Sequence, residues 1–350
     1  MQAPRNQAAA PIGIVYNTSM TRPDAALALA AMYPMEGNRE SHMGSVCIVG
    51  SGYNAAVFAD IIGKMYSFGQ RNGNQALAVG LAVEQGVPDS AMVRTAVEHN
   101  YPRTLQRVAD TSEPTAVLRN GVIFNAESVV ILSGPATYLA KSLDLLGTKD
   151  LYKQRVKRLV VVDAGTPYKD AAALRKVVAE WPTPIFFCPK EVGEALRFPG
   201  ADLDKDFSWA PAHPVVDAYK SYKPMPYDAP LYDLAATHYS VHPDSGFFEL
   251  SASGTITVAD DGGMKFTPGG SNVKAIGIVQ AKKPELLAAL IKAATEKPVV
   301  PTPGGRGGRG GSGRGAFGFS GGRGAFGFSG GRGVIPQPIT PAIVPPTVKQ

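Results

Sequence analysis

Short runs of apolar, β-branched residues alternate with longer stretches of helical periodicity through most of the chain. Residues 11–16, PIGIVY, form a β-rich run. Asp24 then opens the Ala/Leu-rich stretch DAALALAAMY, a helix with an acid in its first turn. GSVCIVG (44–50) predicts the next strand and NAAVFADIIGKMYSFG the next helix. QALAVGLA, SVVILSG, KRLVVVDAG and TPIFFCP continue the strand series, with TYLAKSLDLL and KDAAALRKVVAEW as helices between them. Buried short strands separated by helices of this length predict an α/β fold, an open and mostly parallel sheet with helices on both faces.

Residues 206–235 are rich in Pro, Tyr and Trp and contain a further helical run from Asp228 onward. ASGTITVADDGGMKFTP (252–268) predicts a β-hairpin turning at Asp261-Gly262-Gly263. KAIGIVQ and the helix PELLAALIKAATEK close the body. The expected organisation is an N-terminal arm (1–10), one domain (11–298) and a low-complexity tail (299–350). In the tail GRGAFGFSG occurs at 313–321 and again at 322–330, followed by a Pro-rich end. Its glycines lose too much backbone entropy on ordering, and its few large side chains cannot offset that loss, so alone in water it is expected to be disordered.

Charge follows the same division. Of 35 Lys and Arg, six lie in the tail (Arg306, Arg309, Arg314, Arg323, Arg332 and Lys349) with no acid beside them. The remainder balances at 29 basic and 29 acidic residues. The net charge of +6 therefore belongs to the tail. An apolar fraction of 44% supports a sizeable core, and no stretch approaches the length needed to cross a membrane. Cys47 and Cys188 sit in strand-like apolar runs and read as buried thiols. The N-terminus lacks the pattern of a secretory leader. It also fits a chain whose leader has been removed, and an exported location is preferred to a cytoplasmic one.

In parallel sheets ligands gather beyond the carboxyl ends of the strands, and the first strand here ends in Asn17-Thr18-Ser19 with Asp24 at the mouth of the next helix. NTSMTRPDAALAL (17–29) resembles the amino-terminal signature of nucleoside hydrolases, DTDxGxDDAxAL. Three further blocks agree in order: ESVVILSGPATYLAKSLDLL, YKQRVKRLVVVDAG and DAPLYDLAATHY. The stretch 206–233 is similar to one bacterial, often exported branch of that family.

The resemblance implies a calcium ion held by aspartates and one backbone carbonyl, binding the ribose hydroxyls and the attacking water, with an aspartate as general base. Position by position, Asp24 matches a metal aspartate, Thr137 the carbonyl donor and Asp233 the late metal aspartate, which also contacts substrate. Asn17 stands at another metal position and keeps an oxygen without the charge. Ser19 replaces the second aspartate of the signature, and Pro23 stands where the family places its base. Tyr232 replaces the histidine that serves some members as leaving-group acid. Ser51 lies where a ribose-contacting Asn is expected. The loop that grips the ribose after the VVVDAG strand is missing, since TPYKDAAAL runs on almost directly.

A general base contributes about a hundred- to ten-thousand-fold in rate, and proline offers no proton acceptor. A lost ligand charge weakens a calcium site. Two readings stand. The first is calcium-dependent hydrolysis of the N-glycosidic bond of ribonucleosides, with Asp24 or Tyr232 in a new catalytic role. The second, favoured by these losses, is a weakly active or inactive descendant used as a self-assembling or binding module. Phe317 and Phe319, like Phe326 and Phe328, fall on one face of an extended tail. That stripe could dock on a second copy to give a homo-oligomer. The Arg-Gly-Gly runs with Phe also resemble RNA-binding segments. His213 reads as structural, His238 and His242 lack a third ligand, and VADDGG reads as turn chemistry.

Overall fold

The computed structural model describes residues 11–66, 77–82, 89–270 and 272–298. The chain runs β1 (Ile12–Thr18), α1 (Pro23–Gly37), β2 (Ser41–Ile48), α2 (Tyr53–Tyr66), β3 (Val79–Leu81), α3 (Ala91–Glu98) and α4 (Pro114–Ile123). It continues through β4 (Ser128–Ser133), α5 (Thr137–Ser142), α6 (Thr148–Arg155), β5 (Val156–Val162), α7 (Ala171–Glu180), β6 (Ile185–Cys188) and α8 (Lys190–Ala195). A two-residue strand β7 (Arg197–Phe198), α9 (Leu203–Asp206), α10 (Pro214–Tyr222), β8 (Ala229–Pro230) and α11 (Tyr232–Val241) follow. The last elements are β9 (Phe248–Leu250), β10 (Gly254–Val258), β11 (Met264–Pro268), β12 (Val273–Ile278) and α12 (Lys283–Thr295).

The main sheet has the order β11-β10-β12-β6-β5-β4-β1-β2-β3, with β9 also on β12. From β3 to β12 every pairing on this path is parallel, and β9, β10 and β11 add antiparallel edges. The predicted fold class is the observed one: a mostly parallel sheet with helices on both sides.

The period-two alternation of the strands divides their side chains between two cores. Ile14, Tyr16, Val129, Ile131, Val160 and Val162 join one core with α1, α2, α10, α11 and α12. Val15, Val130, Leu132, Leu159 and Val161 join the other with α4, α5, α6 and α7. Helix α1 is buried on every side from Pro23 to Met35 and packs against α2, α10, α11 and α12. Its sequence explains this: Ala25, Ala26, Ala28, Ala30 and Ala31 let neighbours approach, and no charge follows Asp24 until Glu36.

The structure refines several elements. The helix expected from Asp228 begins at Tyr232, because Ala229 and Pro230 pair with Arg197 and Phe198. TYLAKSLDLL is helical only to Ser142 before the chain turns into α6. Helix α4, which the strand–helix alternation does not flag, presents Val117, Leu118 and Val122 to the core and is capped by Glu113. The hairpin turns as predicted, with Asp261 Oδ1 accepting from the Gly263 N–H at 2.8 Å. Cys47 and Cys188 are buried and free. No helix among the described residues is long and apolar enough to cross a membrane. The N-terminal arm, the repeat tail with its phenylalanine stripe, and the SFG end of the second predicted helix lie outside the described residues.

Candidate functional site

Strand β1 lies between β2 and β4 in parallel register, with Thr18 opposite Ser133, so the carboxyl ends of β1 and β4 are level. Beyond them two helix N-termini meet. Arg22 precedes α1 in an extended conformation and Pro23 fixes its first turn, which carries Asp24. Leu231 precedes α11, whose first turn carries Asp233. Each carboxylate thus sits at the positive end of a helix, and both are buried.

The two acids are joined directly and through a guanidinium. The backbone N–H of Asp233 donates to Asp24 Oδ2 at 2.9 Å. Arg22 donates from Nε to Asp24 Oδ1 at 3.2 Å and from Nη2 to Asp233 Oδ1 at 2.7 Å. Nη2 also reaches Ser133 Oγ at 3.0 Å, and that hydroxyl donates to Asp233 Oδ1. Tyr16, the core-facing residue two positions after Ile14 on β1, donates its hydroxyl to Asp233 Oδ2 at 2.5 Å. All four carboxylate oxygens are therefore engaged by the chain itself.

The electrostatics follow from burial. Loss of solvent raises the Asp24 carboxyl well above the usual range, the Asp233 charge raises it further, and Arg22 pulls the other way. For Arg22 burial disfavours the charge, but Asp233 and Asp24 beside it outweigh that effect and hold the guanidinium protonated. Burial and the Asp233 charge push the Tyr16 hydroxyl far upward, so it acts as a donor.

The other sequence-predicted residues take no part in these hydrogen bonds. Asn17 is fully buried at the end of β1. Its Nδ2 donates to the Pro135 carbonyl at 2.9 Å, while Oδ1 has no hydrogen-bond partner among the described residues. Thr137 opens α5, and its hydroxyl donates to Asp170 Oδ2 at 2.5 Å. Ser51 donates to the Ser19 carbonyl at 2.6 Å, and Ser19 Oγ meets Thr21 Oγ1 at 2.9 Å, so these serines tie the β1–α1 loop. Within that loop Met20 is buried with φ of +53°, a conformation costly for a non-glycine residue.

Tyr232 is half-buried, with its ring 6.0 Å from the Arg22 guanidinium carbon. It lies so close to Gly193 that a Cβ there would stand 2.2 Å from Tyr232 Cδ1. The short link 163–170 tucks Tyr168 under the strand ends, where its hydroxyl donates to the Val162 carbonyl at 2.6 Å.

Away from the cluster, His213 caps α10 by accepting from the Val215 N–H and contacts the Tyr66 hydroxyl, as its structural reading expects. The His238 and His242 rings lie 5.0 Å apart at a tilt of 52°, and His242 Nε2 lies 3.1 Å from Glu40 Oε2. Among the described residues no group of three His, Cys, Asp or Glu side chains is arranged to hold a metal.

Sequence reasoning missed Arg22, Tyr16 and Ser133. The one signal for Arg22 was its place two residues before Asp24, the acid that opens α1.

Solved nucleoside hydrolases share this architecture. An inosine-uridine preferring nucleoside hydrolase from Bacillus anthracis aligns at a TM-score of 0.58 and 12% identity, over 80% of this chain and 99% of its own. A plant nucleoside hydrolase gives 0.60 at 15%, over 82% and 99%. A purine-preferring ribonucleoside hydrolase from Gardnerella vaginalis gives 0.59 at 12%, over 81% and 98%. At these identities the likeness establishes a nucleoside hydrolase fold. No family model matches the sequence, and no curated protein matches it significantly.

Proposed function

We propose that this chain is a nucleoside hydrolase-like protein whose strand-end site is weakly active or inactive in hydrolysis. Its folded body then serves as a structural or binding module, assembled into a homo-oligomer through the tail. One observation carries the first part: every oxygen of Asp24 and Asp233 already accepts a hydrogen bond from within the chain. N-glycosidic hydrolysis needs a group to take a proton from water as the ribosyl cation develops. Pro23 stands where the resemblance places that base. Each Asp24 oxygen is held by an internal bond, Oδ1 to Arg22 Nε and Oδ2 to the Asp233 N–H, which keeps the carboxylate buried and turned inward. The candidate substrate contacts Ser51 and Asp233 are likewise engaged internally.

Inosine, uridine and a chromogenic riboside, each assayed with and without added calcium, test this reading. Turnover at or little above the buffer blank, and unchanged by calcium, is expected in every case. Calcium-dependent turnover that disappears in Asp24→Ala and Asp233→Ala would establish the alternative, a working hydrolase with Asp24 or Tyr232 in the proton-transfer role.

A further inference from the structure

The calcium ion that the sequence resemblance implies does not fit the residues present. Calcium takes six to eight oxygen ligands at about 2.3–2.6 Å. One oxygen of each aspartate, Asp24 Oδ1 and Asp233 Oδ1, is already bonded to Nε and Nη2 of Arg22. A guanidinium cannot give up its proton under ordinary conditions, so a divalent ion on these oxygens would sit against a fixed positive charge. The Arg22 side chain is 18% exposed and is held by Ser133 as well as by both acids. Its planar fork spans two carboxylates on separate helices, which a single hydrated ammonium cannot do as well.

We infer that Arg22 is a built-in counter-ion that takes the place of a divalent cation between Asp24 and Asp233. It supplies the positive charge between the buried pair and joins the N-termini of α1 and α11 in a metal-free protein. The carboxylate pair becomes a hard-cation site only when the guanidinium is removed. The inference rests on this geometry and not on the lack of hydrolysis. Riboside turnover in the presence of a chelator would overturn the proposed function and leave it standing, whereas cation uptake by the unaltered chain would do the reverse.

Terbium is a suitable probe, because it accepts the same oxygen ligands and Tyr16, bonded to Asp233, lies close enough to sensitise its emission. Full-length protein, Arg22→Ala, Arg22→Gln and Arg22→Ala/Asp233→Asn, all freed of metal with EDTA, are titrated with terbium and then melted with and without calcium. The unaltered chain is expected to show only the background emission of the double variant and no calcium-dependent change in Tm. Arg22→Ala or Arg22→Gln is expected to bind terbium about tenfold more tightly or better, and to gain about 5 °C at saturating calcium. Should both single variants be unfolded without metal, recovery of their circular dichroism in calcium supports the inference, and failure to recover overturns it. Saturable emission from the unaltered chain that Asp233→Asn abolishes overturns it, as do folded single variants that bind no more terbium than the double variant.

Discussion

Burying two carboxylates against one guanidinium makes each member of the cluster depend on the others. Arg22→Met keeps much of the side-chain volume but leaves Asp24 and Asp233 facing each other without a counter-charge. Breaking a buried pair in this way costs about 3–5 kcal/mol, and urea denaturation in metal-free buffer is expected to show a loss of that size. Tyr16→Phe removes only the donor to Asp233 Oδ2, at an expected cost of about 1–3 kcal/mol in the same measurement. A loss below about 0.5 kcal/mol in both variants would mean that the cluster is solvated and not a buried unit.

At this scale the sequence was legible where a residue type repeats a known pattern. Asp24 stood out as the acid that opens the helix after the first strand, and Asp233 through the resemblance of DAPLYDLAATHY to a nucleoside hydrolase block. Arg22 did not, because an arginine in a loop between Thr21 and Pro23 normally points to water and only tertiary placement turns it inward. Tyr16 was readable only as a core position of period two, since nothing local signals that its hydroxyl needs a buried acceptor.

Among the elements, the parallel strands and their helices follow from periodicity alone, and helix α1 shows why. A helix apolar all round cannot lie on a surface, and this one is enclosed by the sheet and four other helices. The weaker predictions fell where short pairings override local propensity, as at Ala229–Pro230, or where a helix such as α4 carries polar residues between its apolar positions.

Helix α11 depends on a close approach in the same way. A side chain at Gly193 would displace Tyr232 and with it the start of the helix that carries Asp233. Gly193→Ala is expected to cost about 1–3 kcal/mol through overpacking, read as a lower urea midpoint.

Helix α10 brings a pH dependence. Burial depresses its capping residue His213 to about 4, and His238 in α11 is depressed to about 4 for the same reason. In the unfolded chain both protonate near 6.5, so the unfolded state binds more protons in this window. Their contribution is complete above about pH 6.5 and is lost as pH falls toward 4. For His213 the loss approaches about 3 kcal/mol. Urea midpoints at pH 7, 5.5 and 4.5 should fall in that order, and His213→Gln should flatten the profile. An identical slope in the variant would assign the acid sensitivity elsewhere.

For the whole molecule, an even charge balance in the body and six cations in a tail without acids separate two kinds of behaviour. The fold class was fully legible, because four ordered sequence blocks and the strand–helix alternation point to one architecture, and the solved hydrolases share it. The tail's role was legible only as composition, which fixes no partner. If the tail joins copies of the chain, a variant ending at Val300 is expected to sediment as a monomer while the full-length protein forms larger particles. Equal particle size would remove the assembly reading. Retained size together with RNA affinity that falls on truncation would favour the nucleic-acid one.

On the inference drawn above, an arginine, and not an ion, holds the two helix-bound carboxylates together at the strand ends. A crystal structure of the full-length protein grown in millimolar calcium, with anomalous data collected at long wavelength, tests it most directly. The expected result is the Arg22 guanidinium between Asp24 and Asp233 and no anomalous peak there. A calcium peak ligated by both carboxylates, with Arg22 turned out of the site, would contradict it.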